Sequence, residues 1–138
     1  MKQDEYLRIL CLGNPKATII GSIGSICYDL TNIPHRHKIL VRGAMGAVLG
    51  IGLGYALSRP DKQVIVVVGE GSLLMQLGSI STILKHDLPN LRIIIIDNGQ
   101  YFSCGGQDNN FSAIKHLIMP HFDIFSPEMP TKSQSGVC

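Results

Sequence analysis

The sequence has little charge of either sign. Charged residues make up 16% of the 138 residues, and the formal net charge is only +2 at pH 7. Proteins that bind nucleic acid or an anionic membrane surface by electrostatic attraction carry a much larger positive excess. We therefore expect no nucleic-acid partner and no membrane partner.

The cysteines form no pattern typical of a metal site or a redox motif. Cys11, Cys27, Cys104 and Cys138 include no Cys-x-x-Cys pair and no zinc-like spacing. Reduced thiols in a cytosolic protein are the default interpretation of such scattered cysteines. The first segment, MKQDEYLRIL, also lacks the long apolar core of a signal peptide. Both absences predict a cytoplasmic protein.

A long apolar run is missing as well. The most membrane-like stretch covers residues 43–57, contains five glycines and is shorter than the roughly 20 residues that a spanning helix needs. Hydrophobic residues nevertheless make up 45% of the chain. This richness predicts extensive burial, either inside one domain or against a partner.

Apolar strands alternate with helices along the chain. Strands are predicted at residues 16–22, 37–43, 62–69 and 91–97, and helices at 4–12, from 25, at 45–58, at 72–86 and at 110–118. The strands are apolar on both faces, as expected for parallel strands covered by helices. The alternation predicts an α/β fold, a doubly wound and mainly parallel sheet with helices on both faces. We expect one domain over residues 1–127 and a polar, disordered tail over 128–138.

An acidic residue between two glycines follows the most apolar strand. Residues 69–72 read GEGS and separate QVIVVV from LLMQLGSISTIL. Glycines permit a tight turn, so Glu70 has a simple interpretation as a turn residue. Asn98 follows the next strand along the chain. If the two strands are neighbours, the Glu70 and Asn98 oxygens reach one point at the carboxyl edge of the sheet, where such sheets bind ligands.

Oxygen ligands at that edge suit a metal ion and a phosphate. A carboxylate, an amide oxygen and a backbone carbonyl are the hard ligands that Mg²⁺ prefers. A helix predicted to begin at Ser72 points its free N–H groups to the same place, which favours a phosphate. The sequence therefore predicts a metal–diphosphate site.

The order of three motifs carries a resemblance to a known family. The segments GAMGAVLGIGLGYAL, GEGSLLMQLGSISTI and IIIDNGQYFSCGGQ resemble those of thiamine-diphosphate-dependent decarboxylases. The chain is similar, from about Ile19 to Ile114, to sulfopyruvate decarboxylase β subunits and to the C-terminal domain of phosphonopyruvate decarboxylases. The resemblance implies the diphosphate-binding half of a thiamine enzyme.

The resemblance also implies roles for individual residues. The metal ligands are the Glu70 side chain, the Asn98 side chain and the Gln100 carbonyl oxygen, and the metal is Mg²⁺. Thiamine diphosphate is the implied cofactor. The residues implied to contact it are Gly71 and Ser72 at the diphosphate, Ser25 through its hydroxyl, Met45 as the apolar prop, and Gly43 through its carbonyl.

The implied reaction is the decarboxylation of 3-sulfopyruvate, a small 2-oxo acid, to CO₂ and sulfoacetaldehyde. No catalytic side chain is assigned in this chain, because the activating glutamate of the family lies in another domain. The resemblance therefore implies a β-type subunit that pairs with a pyrimidine-binding, α-type subunit and also self-associates. The alternatives are the corresponding domain of a phosphonopyruvate decarboxylase and a degenerate, non-catalytic subunit.

One departure from the family keeps the degenerate subunit open. Glu70 stands where the family has aspartate, and its extra methylene pushes the carboxylate outward, which Mg²⁺ tolerates poorly.

In the apolar helix, Gly46, Gly50 and Gly54 recur every four residues. We expect these glycines to allow close helix packing and to have no chemical role.

Overall fold

The predicted strands form one parallel sheet. The computed structural model describes residues 1–129. The sheet has the order β2-β1-β3-β4-β7, and every neighbouring pair is parallel. Its strands are β1 (Thr18–Gly21), β2 (Lys38–Leu40), β3 (Val64–Gly69), β4 (Leu91–Ile96) and β7 (Asp123–Phe125). The predicted α/β class is therefore confirmed, and β3 and β4 are neighbours.

Helices connect the strands and cover the sheet. They are α1 (Gln3–Gly13), α2 (Ser25–Asn32), α3 (Val48–Ser58), α4 (Glu70–Leu74), α5 (Gly78–His86) and α6 (Lys115–Ile118), with short 3-10 helices at Phe102–Cys104 and Phe111–Ala113. Among the described residues, no helix combines the length and the apolar character needed to cross a bilayer.

Alternate side chains of β3 explain why its sequence is apolar throughout. Val64, Val66 and Val68 pack in one core with residues of α3 and α5, whereas Ile65 and Val67 pack in a second core with residues of α1 and α2. Successive strand residues point to opposite faces, so a strand between two helical layers needs apolar residues at every position.

The helix predicted over residues 72–86 is wrong in its start and in its continuity. Gly69 is still extended (φ −72°, ψ 146°), and α4 begins at the next residue, Glu70. The chain then turns over residues 75–77 before α5 begins at Gly78. Hydrogen bonds between residues three apart tighten this segment, and glycine and serine at 78–79 favour helix continuation weakly. Gly71 and Ser72 thus lie inside the first turn of α4.

The segment after β4 also differs from the prediction. The structure contains a hairpin of β5 (Gln100–Tyr101) and β6 (Gln107–Asp108), which the sequence analysis did not predict. The helix predicted at residues 110–118 is divided into a 3-10 turn and the short α6. The edge strand β7 was not predicted either, since three residues are too few for a clear apolar pattern.

The predicted tail lies mostly outside the described residues. Residues 130–138 are not among those that the structure describes. Glu128 is described, and its backbone N–H donates to the Met1 carbonyl oxygen at 3.1 Å. Its carboxylate also pairs with the Met1 amino group. The two ends of the described chain therefore meet.

The glycines of α3 do not share one role, which corrects the expectation for Gly50 and Gly54. A Cβ atom at either position would meet nothing within 4 Å, whereas a Cβ at Gly52 would lie 2.2 Å from Val66 Cγ2. Gly46 precedes the helix and has a φ of +92°. Close packing of α3 on the sheet therefore depends on Gly52.

We predict opposite effects for two glycine-to-alanine changes in α3. Gly52→Ala should lower the free energy of unfolding by about 1–3 kcal/mol because it overpacks the contact with Val66. Gly54→Ala, the matched control, should raise it by about 0.5–1 kcal/mol, since the position is exposed and alanine favours helix. Urea denaturation measures both. Equal effects would contradict the packing described for Gly52.

Candidate functional site

The loops after β1, β3 and β4 open on the same edge of the sheet. In the sheet register Gly21 pairs with Val67, and Gly69 pairs with Ile96, so the carboxyl ends of these strands lie side by side. A cleft of about 130 Å³ lies at this edge. Seven of the eight residues singled out from the sequence line it: Ser25, Met45, Glu70, Gly71, Ser72, Asn98 and Gln100.

Gly43 is the exception among the predicted site residues. It is exposed and is not among the residues that line the cleft. It precedes a turn in which Ala44 has a φ of +50° and Gly46 a φ of +92°. This turn carries Met45 to the cleft and leaves Gly43 outside it.

Glu70 is a buried carboxylate at the base of the cleft. Its side chain is fully buried, with 1% of the residue exposed. The Oε1 atom accepts hydrogen bonds from Asn109 Nδ2 at 2.9 Å and from the Gln100 backbone N–H at 3.2 Å. A buried charge is costly unless it is paired or hydrogen-bonded, and these two donors meet that need only in part.

Asn98 brings a second oxygen to the same point. Its Oδ1 accepts the Gln100 backbone N–H at 3.0 Å, the same N–H that bonds to Glu70. The side-chain oxygens that follow β3 and β4 therefore converge on one atom. This convergence confirms the expectation that the two side chains lie close together at the sheet edge.

The turn that presents Asn98 is fixed on its outer side. Asp97 Oδ1 accepts the Gly99 backbone N–H at 3.2 Å, and Gly99 has a φ of +76°. The other carboxylate oxygen of Asp97 is 2.6 Å from Lys115 Nζ. The ion pair is only partly exposed, and it ties the Asn98 turn to α6.

The surroundings of Glu70 raise the pKa of its carboxyl group. Burial is the largest cause, and the negative charge of Asp97 adds to it. The hydrogen bond from Asn109 acts in the opposite direction and lowers the pKa. The net rise means that the ionised form lacks sufficient stabilisation from the protein alone, and a cation beside the carboxylate would supply it.

Close packing shapes the floor of the cleft. A Cβ atom at Gly71 would lie 2.8 Å from Tyr101 Cδ1 and 3.4 Å from Met45 Cε. Only glycine therefore fits between these two side chains. Met45 is 37% exposed, so an apolar surface remains open beside Gly71.

Ser25 is held by α1 at the opposite side of the cleft. Its hydroxyl donates to Gln3 Oε1 at 3.4 Å, and Gln3 Nε2 donates to Asp29 Oδ2 at 2.6 Å. Burial raises the pKa of Asp29, and the Gln3 hydrogen bond lowers it. An adjoining depression of about 440 Å³ shares Gln3, Ser25, Asn98 and Phe102 with the cleft.

Three residues of this site were not predicted from the sequence: Gln3, Tyr101 and Asn109. The paired glycines at 105–106 are a turn signal that could have revealed the hairpin and hence Tyr101. Asn109 lies 39 residues from Glu70 in the chain, and no local pattern links them. Cys104 is exposed at the rim of the cleft.

The predicted metal-ligand set has few charged members. Residues 1–129 contain no group of three or more histidine, cysteine, aspartate or glutamate side chains arranged to hold a metal ion. The predicted set would contain only one side chain of these types, the carboxylate of Glu70. The amide oxygen of Asn98 and a backbone carbonyl oxygen would complete it. Such an all-oxygen set suits Mg²⁺, which keeps the remaining positions for water or phosphate.

Comparison with known families identifies the domain. The family described as thiamine pyrophosphate enzyme, C-terminal TPP binding domain, matches residues 20–124. The chain belongs to this family. The matched range contains every cleft residue named above except Gln3.

Two curated proteins illustrate the relationship. A phosphonopyruvate decarboxylase from Streptomyces hygroscopicus is 40% identical over 109 residues, which are 78% of this chain and 27% of that protein. The sulfopyruvate decarboxylase subunit beta of Methanocaldococcus jannaschii is 43% identical over 93 residues, which are 67% of this chain and 49% of that protein. The chain thus spans between a quarter and a half of these relatives.

A solved structure supports the fold. A chain of 2-oxoglutarate:ferredoxin oxidoreductase from Magnetococcus marinus matches with a TM-score of 0.61 and 20% identity, over 76% of this chain and 36% of that chain. At this identity the similarity concerns the fold alone, and it agrees with the α/β sheet described above.

The buried carboxylate should make the stability of the metal-free protein depend on pH. Because the folded state raises the pKa of Glu70 above its ordinary value of 4.5, its contribution to stability is present below that value. The contribution is lost as the pH rises through the folded pKa. Glu70→Gln removes the titrating group, so its stability should not show this loss.

Urea denaturation from pH 4 to pH 8 in EDTA tests this prediction. The wild type should lose about 1.4 kcal/mol relative to Glu70→Gln for each unit by which the pKa is raised. Glu5→Gln, at an exposed position in α1, is the control. Parallel curves for the wild type and Glu70→Gln would show that burial does not disfavour the charge.

Proposed function

We propose that this chain is the β-type subunit of a thiamine-diphosphate- and Mg²⁺-dependent decarboxylase that acts on 3-sulfopyruvate and releases CO₂ and sulfoacetaldehyde. The observation that carries the proposal is the convergence of Glu70 Oε1 and Asn98 Oδ1 on the Gln100 N–H in a domain of the thiamine enzyme family. The relatives named sulfopyruvate decarboxylase subunit beta support the substrate.

The donor chemistry of the cleft fits a cation. In this proposal the carboxylate of Glu70, the amide oxygen of Asn98 and the carbonyl oxygen of Gln100 bind Mg²⁺. The raised pKa of buried Glu70 supports the assignment, because a cation would stabilise the ionised form that burial disfavours. Asn98 and Gln100 add oxygen without adding a second negative charge.

The other cleft residues would hold the cofactor. Gly71 and Ser72 are proposed to contact the diphosphate, with the Ser25 hydroxyl across the cleft. Met45 would support the cofactor through its exposed apolar surface beside Gly71. We keep the Gly43 carbonyl as a proposed pyrimidine contact, although Gly43 lies outside the cleft in this structure. When bound, thiamine diphosphate would supply the electron sink for decarboxylation.

A second subunit completes the proposed enzyme. The cleft has a volume of about 130 Å³, which is small compared with the roughly 300–1,000 Å³ of typical ligand pockets. This small volume supports the proposal that the cleft is half of a site shared with another subunit. We propose that a pyrimidine-binding, α-type subunit supplies the activating glutamate, and that the chain also self-associates. We place the assembled enzyme in the cytoplasm.

Two alternatives have support of their own. Phosphonopyruvate is the alternative substrate, because a phosphonopyruvate decarboxylase is 40% identical to this chain. The second alternative is a degenerate, non-catalytic subunit. It is supported because Glu70 Oε1 already accepts hydrogen bonds from two donors within the protein, and these bonds do not require a cation.

The reconstituted pair tests the substrate. The chain, purified with its α-type partner, thiamine diphosphate and Mg²⁺, should release sulfoacetaldehyde from 3-sulfopyruvate faster than it releases the aldehyde of 3-phosphonopyruvate. A coupled aldehyde dehydrogenase assay measures both. Faster turnover of the phosphonate would favour the alternative substrate, and no turnover of either acid would contradict the decarboxylase assignment.

Substitutions at Glu70 test the metal site. Glu70→Ala should abolish Mg²⁺-dependent binding of thiamine diphosphate. This effect is larger than the roughly 10–100-fold loss of metal affinity that follows removal of a residue hydrogen-bonded to a metal ligand. Glu70→Asp should weaken binding by about 1 kcal/mol or more in an active enzyme, because one charge-assisted contact is lost. In a degenerate subunit, Glu70→Asp should instead tighten binding.

Calorimetric titration of thiamine diphosphate at fixed Mg²⁺ distinguishes these outcomes. Asp61→Ala is the control, since Asp61 is an exposed carboxylate that pairs with Arg59 away from the cleft. Equal affinities for the wild type and both Glu70 variants would mean that Glu70 is only a turn residue.

A further inference from the structure

Asn109 is a buried polar residue that neither the motifs nor the family resemblance assigned to the site. It follows β6 and is 8% exposed. Its Nδ2 donates to Glu70 Oε1 at 2.9 Å, and its Oδ1 accepts the Phe111 backbone N–H at 3.0 Å. Phe111 lies in the core beneath it, with 1% exposed. Asn109 therefore connects the carboxylate of Glu70 to a fixed part of the fold.

The hydrogen bonds to Glu70 are distributed unevenly. The side chain of Asn109 and the backbone N–H of Gln100 both donate to Oε1. One oxygen of the carboxylate is thus held from two directions. A glutamate has one more rotatable bond than an aspartate, and fixing that bond at the moment of metal binding would cost conformational entropy. A side chain that is already fixed avoids this cost.

We propose that Asn109 is a positioning residue that adapts the longer side chain of Glu70 to the cation site. Its hydrogen bond to Oε1 fixes the conformation of the longer side chain, including the extra methylene group. The other carboxylate oxygen, Oε2, is then left to bind the cation. This inference rests on the proposed function, because it requires a divalent cation at Glu70. It explains why a glutamate can serve at a position where the shorter aspartate would be expected.

Asn109→Ser separates the two hydrogen bonds of Asn109. The serine hydroxyl can still accept the Phe111 N–H, as hydroxyl groups do in such turns, but it lacks the amide donor that reaches Glu70. Asp108→Ala is the matched control. Asp108 makes the same type of turn bond, to the Asn110 N–H at 2.7 Å, and it is exposed.

Electron paramagnetic resonance of Mn²⁺, in the presence of millimolar thiamine diphosphate, gives the affinity for the cation of the full chain assembled with its α-type partner. Asn109→Ser should raise the half-saturating Mn²⁺ concentration about tenfold, as expected for the loss of a residue that hydrogen-bonds to a metal ligand. Asp108→Ala should leave it unchanged. A merely structural role for Asn109 would lower the thermal midpoint of unfolding without changing the Mn²⁺ concentration needed, and that result would overturn the inference.

The Glu70→Asp background provides the second test. An aspartate is too short to reach Asn109, so Asn109→Ser should change the half-saturating Mn²⁺ concentration less than twofold there. A tenfold change in both backgrounds would show that Asn109 acts independently of Glu70 and would also overturn the inference. A wild-type chain that binds no Mn²⁺ with thiamine diphosphate when its α-type partner is present would contradict the cation site of the proposed function itself, which is a separate failure.

Discussion

The arrangement of this domain depends on one buried carboxylate between two parallel strands. Glu70 follows β3 and accepts a backbone hydrogen bond from Gln100, which lies beyond the end of β4. The bond crosses the gap where the sheet has ended, and Asn98 accepts the same N–H. A buried charge is tolerated only with such partners. The position of Glu70 therefore constrains the turns after both strands.

Contacts from several other segments fix the positions of Glu70 and of the turn that carries Asn98. Gly71 fits beneath Tyr101 and Met45 because it has no side chain. The ion pair of Lys115 with Asp97 fixes the outer side of the Asn98 turn. Asn109 holds Glu70 from the hairpin side. These contacts come from segments that are far apart in the chain, so the cleft depends on tertiary packing between them.

Local patterns predicted the framework of the domain well. The strands at β3 and β4 and their burial on both faces follow from runs of apolar β-branched residues, because parallel strands between helical layers require them. Their position as neighbours was an assumption made from the sequence, and the sheet order confirmed it. The approach of Glu70 and Asn98 was predicted on the condition that these two strands are neighbours, and they are. The motif GEGS placed Glu70 at the end of a strand, although it did not show that α4 begins at that residue.

The parts that were missed depend on contacts between distant residues or on very short elements. The β5–β6 hairpin has two residues in each strand, which is too short for periodicity to appear. The bond between Asn109 and Glu70 spans 39 residues and follows from tertiary packing. The roles of Gly50 and Gly54 were misjudged because spacing along a helix does not reveal which face meets the sheet.

A crystal structure of the protein with thiamine diphosphate and Mn²⁺ tests the central claim most directly. The anomalous signal of Mn²⁺ locates the cation without assumptions about its ligands. We predict a cation within metal-ligand distance, about 2.0–2.2 Å, of a Glu70 carboxylate oxygen and of Asn98 Oδ1. A cation bound elsewhere, with Glu70 bonded only to Asn109 and the Gln100 N–H, would contradict it.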